Sequence, residues 1–389
     1  MATRHAPPPR IGINAQKLSL SQSYHAAGSS RYVHNLVREL RALDAEEQFL
    51  VYAREKDVPP DLASTANFRV VGTRAPTDRP IARILWEQLR LPRLLRHDHV
   101  TLFHGAINAL PLAWEGPRIA TILDLTFLRI PQAFNRSNRL YLTWMTRYVA
   151  RHADRIITIS EASRRDAIEL LGAAPAHVVA IPLGVDPQFQ PMSDHLAVAR
   201  FREANGLPEH FILHLGTIEP RKNLLRLIDA YAELRRRGAT DWPLILAGGR
   251  GWGDQPIFDR VAATGLDGAI RFAGFVPDSD LPLWYNAASL FTYPSEYEGF
   301  GLPVLEALAC GTPVVASNSS SFPEVVGDAG ILVDPADTRD MANGIERVLA
   351  DDALRAHYAS AGPERARRFS WRATAERTLA VYREVMAAT

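Results

Sequence analysis

The sequence predicts an α/β protein built from two doubly wound, Rossmann-like domains. Short runs of aliphatic residues alternate with longer amphipathic segments along the whole chain, and the runs form two series on either side of a proline-containing stretch at 186–194. Such alternation is typical of parallel sheets with helices on both faces. A chain of 389 residues is also long enough for two domains, each with its own core.

The first series begins with a strand at 11–14 and a helix at 32–40. On that helix, apolar side chains recur at helical spacing and form one stripe: Tyr32, Val33, Leu36, Val37 and Leu40. Further β-type runs follow at 49–52, 68–71, 102–103, 119–123 and 155–159. These runs predict one parallel sheet in the first half of the chain.

The second series predicts strands at 211–215, 244–247, 270–273, 290–293, 313–316 and 330–333, and a closing helix at 371–386. We expect a disordered tail at 1–10, an acceptor-binding domain at 11–190, a nucleotide-binding domain at 191–370, and a last segment, 371–389, packing back on the first domain. Ligands of open α/β sheets bind beyond the carboxyl ends of the strands, so we expect the site in a cleft between the domains.

The composition is that of a soluble globular protein, with 47% hydrophobic and 22% charged residues. Cys310 is the single cysteine, so an internal disulfide is excluded and a reducing compartment is favoured. The polar, proline-rich start lacks the apolar core of a signal peptide, and no run of about 18 apolar residues occurs. We expect a cytoplasmic protein, either free or peripheral at the inner face of the membrane.

Charge is unevenly divided along the chain. Residues 1–190 carry 24 Lys+Arg and 17 Asp+Glu, a balance of +7, whereas the remainder has a balance of −6. Two basic stretches, 83–96 and 136–155, mix arginines with apolar and aromatic residues. They could contact an anionic membrane or a lipid-diphosphate acceptor, or they could bury the aromatic side and solvate the arginines. We expect no nucleic-acid partner.

The most informative motif is PSEYEGFGLPVLE at 294–306, directly after a predicted strand. Pro303 suits the first turn of a helix, and Gly299 and Gly301 allow a ligand close to the backbone. A helix beginning there would offer free N–H groups to an anion. Glu298 and Glu306 could then bind hydroxyls on either side of a phosphate. The alternative is an ordinary connection with two solvated glutamates.

A second motif, GTIEPRKN at 216–223, also follows a predicted strand. A glycine turn followed by Arg221 and Lys222 could bind a diphosphate, although a basic helix cap is the alternative. The segment AAGSSR at 26–31 could face the same diphosphate from the first domain through Gly28. Gly-Ser turns also cap many helices, so this third motif is less specific.

Other sequence patterns give little indication of a metal site, a phosphate loop or a reactive cysteine. The segment 278–280, Asp-Ser-Asp, matches a metal-binding pattern, but it precedes a predicted helix where such residues are ordinary caps. No phosphate loop ending in Gly-Lys-Ser/Thr occurs, which argues against a kinase or ATPase. Cys310 lies in apolar surroundings that favour burial over reactivity. We therefore expect neither a metal nor a cofactor.

Four segments together resemble a known family: EGFGLPVLEALACGTPVVAS, GTIEPRKN, ITISEASRRD and IPLGVD. The sequence is similar to the retaining glycosyltransferases of the GT-B fold, in the group 1 or family 4 class that includes mannosyltransferases. The resemblance extends from Gly28 through the closing helix. It implies two Rossmann-like domains facing each other across a cleft, with a nucleotide sugar as donor substrate.

The resemblance also implies roles for individual residues. Glu298 would contact the donor sugar, Glu306 the ribose, and Arg221 with Lys222 the departing diphosphate. Asp124 completes the predicted catalytic set. The predicted donor-binding residues are Gly28, Gly216, Phe275, Val276, Gly299, Phe300, Gly301, Leu302 and Glu306.

The predicted acceptor side departs from the family pattern. Many relatives carry a histidine just before Asp124, where this chain has Leu123, and many have asparagine where it has Leu183. Asp124 and His104 remain the candidate acceptor residues. His104 could equally be a hydrogen-bonded structural histidine.

The expected reaction is metal-independent hexosyl transfer with retention of the anomeric configuration. Mannose from GDP-mannose is the first expectation, with UDP-glucose as the alternative, and the acceptor could be a glycan in polysaccharide biosynthesis, a lipid-linked sugar or a small molecule. A phosphorolytic or epimerising enzyme of the same fold is a further reading. A nucleotide-sugar-binding protein without transfer activity is another.

Overall fold

A computed structural model describes residues 7–19 and 27–388, and in it the chain divides into two compact units. The first unit extends to Gly184 and includes the chain from Trp371 onward, and the second is Val185–Ser370. The prediction placed residues 185–190 in the first domain. They lie in the second unit because the Val185 N–H donates to the carbonyl of Phe369 and Phe189 packs edge-on against Tyr285.

All strands of the first unit are parallel and form one sheet in the order β3-β2-β1-β4-β5-β6-β7. They are β1 (Arg10–Asn14), β2 (Gln48–Arg54), β3 (Phe68–Thr73), β4 (Leu102–Gly105), β5 (Arg118–Ile122), β6 (Arg155–Thr158) and β7 (Val178–Ala180). Ile11 of β1 pairs with Phe49 on one side and Leu102 on the other. These residues are buried because helices cover both faces of a parallel sheet.

Two features of this sheet differ from the prediction. Arg10, assigned to the tail, begins β1, because its side chain bonds to Gln48 and to the carbonyl of Asp98. The short strand β7 was not predicted. Its apolar run continues without a break into Ile181, so the sequence pattern alone does not separate it from the following loop.

The first-unit helices up to β7 are α1 (Ala27–Ala42), α2 (Pro80–Leu85), α3 (Leu91–His97), α4 (Thr126–Arg129), α5 (Arg136–His152) and α6 (Glu161–Leu171). A π-helical turn, Trp86–Arg90, joins α2 to α3. Short 3-10 helices lie at Glu55–Asp57, Pro60–Leu62, Pro131–Ala133 and Pro175–His177. The stripe predicted on the first helix is buried along its whole length.

The second unit repeats this architecture with a parallel sheet in the order β10-β9-β8-β11-β12-β13. Its strands are β8 (Ile212–Leu215), β9 (Leu244–Ala247), β10 (Ile270–Gly274), β11 (Leu290–Tyr293), β12 (Val314–Ser317) and β13 (Ile331–Val333). The strand order reverses between β8 and β11, which lie side by side with Leu290 opposite Ile212. A reversal of this kind is where open sheets bind ligands.

The helices of the second unit are α7 (His195–Ala204), α8 (Leu224–Arg236), α9 (Gln255–Thr264), α10 (Leu281–Ala287), α11 (Leu302–Ala309), α12 (Phe322–Val326), α13 (Thr338–Ala350) and α14 (Asp352–Ala366). A 3-10 turn, Pro220–Lys222, precedes α8. Leu227, Ile228 and Tyr231 on α8 pack with Leu244 and Leu246 of β9 in one buried cluster. This cluster fixes α8, and with it the turn that carries Lys222.

The last helix, α15 (Trp371–Ala387), packs against α1 in the first unit. Its Tyr382 is fully buried and bonds to His104 of β4. Nearby, Arg383 pairs with Glu47, and Arg377 donates to the carbonyl of Ala180. The chain therefore returns to the first unit to complete its core. The two parallel α/β units agree with the predicted fold class.

Candidate active site

The site residues predicted in the second unit come from two neighbouring strand ends. GTIEPRKN follows β8, and PSEYEGFG follows β11. The carbonyl of Arg221 accepts a hydrogen bond from the Glu296 N–H at 3.0 Å, and Ser295 Oγ lies 3.1 Å from the same oxygen. The two motifs, distant in sequence, are therefore joined where the strand order reverses.

Glu298 is held by two cations on a single carboxylate oxygen. Its Oε1 lies 2.6 Å from Lys222 Nζ and 2.7 Å from Arg221 Nη1, and it accepts a third bond from Ser295 Oγ at 3.0 Å. Burial alone would raise the pKa of Glu298, but Arg221 and Lys222 outweigh it and lower that pKa to about 2. The side chain is therefore an anion with a fixed orientation.

The second oxygen of Glu298 has a different environment. Oε2 has no hydrogen-bond partner within the described part of the chain, and it is not sealed from solvent. The side chain as a whole is 15% exposed. Oε1 of Glu298 is thus bound by groups of the protein, whereas Oε2 can accept a hydrogen bond from a hydroxyl group of a ligand.

Lys222 is buried beside Glu298 and Tyr293. Its ammonium group donates to Tyr293 Oη at 2.6 Å and lies 4.9 Å from the centre of that ring. Burial and the charge of Arg221 lower the pKa of Lys222, and Glu298 offsets this only in part. An ammonium has three donors, and with two used, the third has no partner among the described residues.

The guanidinium group of Arg221 makes more hydrogen bonds within the protein than the sequence indicates. Its Nε and Nη2 donate to Glu219 Oε1, and its Nη1 donates to the carbonyl of Tyr297 as well as meeting Glu298. The prediction gave Arg221 a direct contact with a diphosphate. The geometry instead favours a positioning role, in which Arg221 holds Glu298 and the loop before α11.

The loop at 298–301 leads into α11 through an unusual backbone. Gly301 has φ of +94°, and a Cβ there would lie 2.9 Å from the Phe322 ring. Pro303 occupies the first turn, where its missing N–H is not needed. Phe300 is buried against Phe369, and Leu302 is half-buried at the helix start. Pro303 has no N–H, and the Val304 N–H donates to the carbonyl of Gly301 at 3.0 Å. Among the described residues, this leaves the N–H groups of Gly301 and Leu302 at this end of α11 to bind an anion.

Glu306 lies in the same helix and is only 2% exposed. Tyr285 of α10 donates to its Oε2 at 2.9 Å, and the Tyr285 ring packs against Phe291. Glu298 therefore lies in the loop before α11, and Glu306 lies in the middle of that helix. Each carboxylate has a fixed hydrogen-bond partner that orients it.

Glycines bring the neighbouring loops close together. A Cβ at Gly248 would lie 1.9 Å from the carbonyl oxygen of Gly216, so the turns after β8 and β9 touch at their backbones. Gly274, the last residue of β10, has φ of +77°, and the next residue, Phe275, is 47% exposed while Val276 is buried. The Phe275 ring is thus a large apolar surface at the same edge of the sheet.

His214, Tyr293 and Ser295 also contact the site residues, although the sequence did not predict them as functional residues. His214 of β8 is fully buried and stacks on Tyr293, its Nδ1 bonds to the Thr292 carbonyl, and its Nε2 has no partner among the described residues. Burial, and secondarily Lys222, lower its pKa to about 3. The sequence feature that could have indicated His214 is its position as a single histidine inside the apolar run FILHLG.

The candidate residues of the first unit belong to three different parts of the chain: α1, β4 and the loop after β5. Asp124 follows β5, where its Oδ1 accepts from the Thr126 N–H at 2.9 Å and so begins α4. Gly28 lies exposed in the first turn of α1, and the preceding part of its motif, through Ala26, lies outside the described residues. Neither placement tests a role in acceptor or donor binding.

His104 has surroundings that argue against an acceptor contact. It is fully buried, with Nε2 bonded to Thr121 Oγ1 at 2.8 Å and Nδ1 bonded to Tyr382 Oη at 2.6 Å. Tyr32 of α1 also bonds to Thr121, at 2.8 Å. Because both ring nitrogens serve a network joining α1, α15 and two strands, the structure favours the alternative of a structural histidine.

In the described ranges, 7–19 and 27–388, His, Cys, Asp and Glu form no group of three or more that could hold a metal ion. Asp278 and Asp280 precede α10, with Asp280 bonded to Ser279 Oγ. Within the same ranges, no helix combines the length and apolar character that crossing a bilayer requires.

Comparison with known proteins matches both halves of the chain to families. Residues 198–365 match the model described as glycosyl transferases group 1, and residues 26–189 match that of glycosyltransferase family 4. O-antigen chain mannosyltransferase B of Escherichia coli is 36% identical over 282 residues, which are 72% of this chain and 74% of that protein. D-inositol 3-phosphate glycosyltransferase of Salinispora arenicola is 30% identical over 97% of this chain and 92% of its own length.

The structural comparison agrees with the sequence matches. Sucrose-phosphate synthase of Thermosynechococcus elongatus superposes with a TM-score of 0.76 at 25% identity, covering 98% of this chain and all of that one. The predicted GT-B fold class is thereby confirmed, as is the family suggested by the sequence motifs. The chain belongs to the group 1, family 4 glycosyltransferases, and its activity is glycosyl transfer.

Proposed function

We propose that this glycosyltransferase moves a hexose from a nucleotide sugar to its acceptor with retention of configuration and without a metal ion. The observation that carries the proposal is the carboxylate of Glu298, fixed at Oε1 by Lys222 and Arg221 and accessible at Oε2, directly before α11. The proposal is supported because a carboxylate oxygen suited to a sugar hydroxyl, a buried cation and a helix N-terminus come from the loops after two neighbouring strands, β8 and β11.

Glu298 orients the donor sugar in this proposal. A carboxylate with one oxygen already immobilised loses little freedom when the other accepts a hydroxyl. The lowered pKa keeps Glu298 charged, which strengthens that hydrogen bond. A sugar held in this way presents its anomeric carbon in one orientation only.

Lys222 and the start of α11 stabilise the leaving group. Departure of a nucleoside diphosphate builds negative charge on the β-phosphate, and preorganised N–H donors stabilise that charge without reorganisation. The third N–H of Lys222 and the free backbone N–H groups around Gly301 and Leu302 are such donors. These groups supply the positive charge that a metal ion provides in other enzymes.

Glu306 binds the ribose of the nucleotide. Its carboxylate is oriented by Tyr285 and lies in α11, one to two turns after the helix start that receives the phosphates. Two neighbouring ribose hydroxyls can both donate to one carboxylate. The exposed ring of Phe275, with Val276, provides an apolar surface for the base.

Retention follows from attack on the face that the leaving group vacates. A double displacement would need a carboxylate nucleophile on the opposite face of the sugar. Glu298 is an unsuitable nucleophile because two cations lower its basicity and fix its Oε1. We propose that the acceptor hydroxyl attacks beside the departing diphosphate and that a phosphate oxygen takes its proton.

For the donor we propose GDP-mannose, with UDP-glucose as the second candidate. The named activity of the E. coli relative, an O-antigen chain mannosyltransferase, supports mannose and favours a glycan or lipid-linked glycan as acceptor. The name of the second relative, D-inositol 3-phosphate glycosyltransferase, supports a small polar molecule as the second candidate acceptor.

A donor screen tests the proposal. Purified protein is incubated with GDP-mannose, UDP-glucose and related nucleotide sugars, and release of nucleoside diphosphate is measured with glycan and small-molecule acceptors. We expect GDP-mannose to give the highest kcat/KM, and NMR of the product to show the anomeric configuration of the donor. An inverted product would contradict the proposed mechanism, and preference for UDP-glucose would replace the proposed donor.

Calorimetry separates transfer from binding alone. If the protein binds a nucleotide sugar but releases no diphosphate with any acceptor, the reading of a binding protein is favoured. Phosphorolysis or epimerisation would appear as donor consumption in the absence of an acceptor.

A further inference from the structure

Three large apolar side chains project from the segment that runs from α2 through the π-helical turn to α3. Ile81 is 74% exposed, Leu85 53% and Leu89 58%. The opposite side of the segment, including Trp86 and Leu91, is buried in the core of the first unit. The helical segment therefore has an apolar inner face, as expected, and apolar residues on its outer face as well.

Helix α5 and a nearby loop have the same character. Leu140 is 68% exposed and Trp144 53%, one turn apart on α5. Leu112, 43% exposed, is attached to the first segment because its N–H donates to Gln88 Oε1 at 2.9 Å. These three and the previous three are the strongly exposed large hydrophobic residues in the described part of the first unit.

Exposed arginines lie on or beside the same helical segments as these apolar residues. Seven exposed arginines have no ion pair with an acidic residue in the described ranges: Arg79, Arg90, Arg93, Arg96, Arg136, Arg147 and Arg151. Other arginines of this unit, such as Arg54 and Arg129, do pair with carboxylates. Between Arg79 and His97 the only acid is Glu87, which is buried, and α5 contains none.

The two helical segments are neighbours. Both pack on the same core cluster, through Trp86 in the first and Leu142 in the second. The phenol of Tyr141 on α5 lies close enough to Glu87 and Arg83 for their charges to affect its pKa, which burial raises to about 12. We therefore treat the six apolar residues and seven arginines as one arginine-rich apolar surface.

We propose that the arginine-rich apolar surface docks this glycosyltransferase on an anionic lipid bilayer. A membrane-surface helix inserts apolar side chains at the headgroup boundary while its arginines meet lipid phosphates. Trp144 suits that boundary because its ring is apolar and its N–H can bond to headgroups. The protruding side chains and the absence of exposed acids on both helices favour a bilayer over a folded protein partner, whose surface carries both signs of charge.

Vesicle co-sedimentation with the whole 389-residue chain tests this docking. The probes are phosphatidylcholine vesicles with and without phosphatidylglycerol. We expect binding to the phosphatidylglycerol-containing vesicles, weakened at about 0.5 M salt, where screening shortens the range of charge interactions. Arg90→Ser combined with Arg147→Ser, and separately Leu89→Ser combined with Trp144→Ser, should each weaken binding about tenfold or more.

Matched controls lie in the second unit. Leu196 is 69% exposed, and Arg200 and Arg339 are exposed on α7 and α13. Leu196→Ser, and Arg200→Ser combined with Arg339→Ser, should leave vesicle binding unchanged. Release of nucleoside diphosphate with a soluble acceptor should be unaffected in all these variants, so failure of docking and failure of the proposed transfer are distinguished.

Three outcomes would overturn the proposal. The first is no binding to anionic vesicles. The second is equal binding by the surface variants and the wild type. The third is a change of oligomeric state in the surface variants, measured by sedimentation, without vesicle binding, which would make this surface an interface between copies of the chain.

Discussion

Lys222 Nζ lies 2.6 Å from Glu298 Oε1, and this contact joins the loops that follow two adjacent strands. Both side chains are largely buried, Lys222 at 8% and Glu298 at 15% exposed. Arg221 meets the same oxygen at 2.7 Å, so one carboxylate is shared by two cations. The Lys222–Glu298 pair therefore contributes both to the proposed activity and to the stability of the second unit. Substitutions of either residue can measure these two contributions separately.

Replacing either partner should remove most transfer activity but should affect stability unequally. Lys222→Ala leaves Glu298 paired with Arg221, whereas Glu298→Ala leaves the buried Lys222 without its carboxylate and Arg221 with Glu219 alone. We expect kcat to fall about a hundredfold or more in both variants. The free energy of unfolding should fall by about 3 kcal/mol in Glu298→Ala and by less in Lys222→Ala, measured by urea denaturation.

Glu296 provides the matched control for these substitutions. It lies two residues before Glu298, is 43% exposed and pairs with Arg226. Glu296→Ala should change kcat and stability little, because exposed ion pairs contribute about 0–1 kcal/mol. Turnover close to wild type in Lys222→Ala or Glu298→Ala would remove the proposed roles of these two residues.

The stability contributed by Glu298 should depend on pH in acid. Burial alone would raise its pKa, but Arg221 and Lys222 lower it from 4.5 to about 2. A carboxylate with a lowered folded-state pKa stabilises the protein above pH 4.5, and that contribution is lost as pH falls toward about 2. The difference in unfolding free energy between wild type and Glu298→Gln should be constant above about pH 5 and should shrink below it, by about 1.4 kcal/mol per pH unit. A difference independent of pH would contradict the lowered pKa.

Much of the fold could be predicted because its signals are local. The strands 244–247 and 290–293 coincide with β9 and β11, since fully buried parallel strands are continuous apolar runs that glycine or proline ends. The loops with functional residues were also identifiable, because each directly follows such a strand. The short strand β7 was missed because nothing in its apolar run marks where the strand ends.

Contacts between distant residues could not be predicted. The sequence placed Arg221 beside Lys222 but did not show that Glu219 and Tyr297 occupy the guanidinium. Nor did it show that His104 bonds to Tyr382, 278 residues later in the chain. Such pairings depend on how helices pack on the sheet, which local spacing does not determine.

Buried His104 should lower stability as the medium becomes acidic. Burial lowers its pKa from 6.5 to about 3. The unfolded chain therefore binds a proton between those pH values that the folded chain does not, so stability falls as pH decreases from 6.5. His104→Gln should reduce that pH dependence, by up to about 1.4 kcal/mol per pH unit, while itself costing about 1–3 kcal/mol at pH 7.

The exposed His177 is the control for this substitution, and His177→Gln should leave the stability profile unchanged. Activity distinguishes the two readings of His104. We expect folded His104→Gln protein to retain wild-type KM for the acceptor at pH 7. A large increase in that KM would restore His104 as an acceptor residue.

Glu306 and Tyr285 should control affinity for the nucleotide rather than the rate of transfer. Glu306→Gln removes the charge that we propose binds the ribose, and Tyr285→Phe removes the bond that orients it while keeping the ring against Phe291. We expect the Kd for nucleoside diphosphate, measured by calorimetry, to rise about tenfold in Glu306→Gln and less in Tyr285→Phe.

Deoxynucleotides make this test specific for the ribose. Wild-type protein should bind a 2′- or 3′-deoxynucleoside diphosphate about tenfold more weakly than the ribonucleotide, because a buried carboxylate then loses a partner. Glu306→Gln should discriminate less between the two. Equal discrimination by wild type and variant would place the ribose elsewhere.

Gly301 should be required for the geometry of the start of α11. Gly301→Ala combines an unfavourable positive φ with a Cβ only 2.9 Å from the Phe322 ring, so it should cost more than about 1–2 kcal/mol and raise the KM for the donor. Two glycines separate these causes: Gly265 has φ of +67° with open space around it, and Gly268 has open space without a positive φ. Gly265→Ala should therefore lose only the backbone contribution, and Gly268→Ala should be neutral in thermal unfolding. If Gly301→Ala cost no more than Gly265→Ala and bound the donor normally, the close approach of Gly301 to Phe322 would have no role in shaping the site.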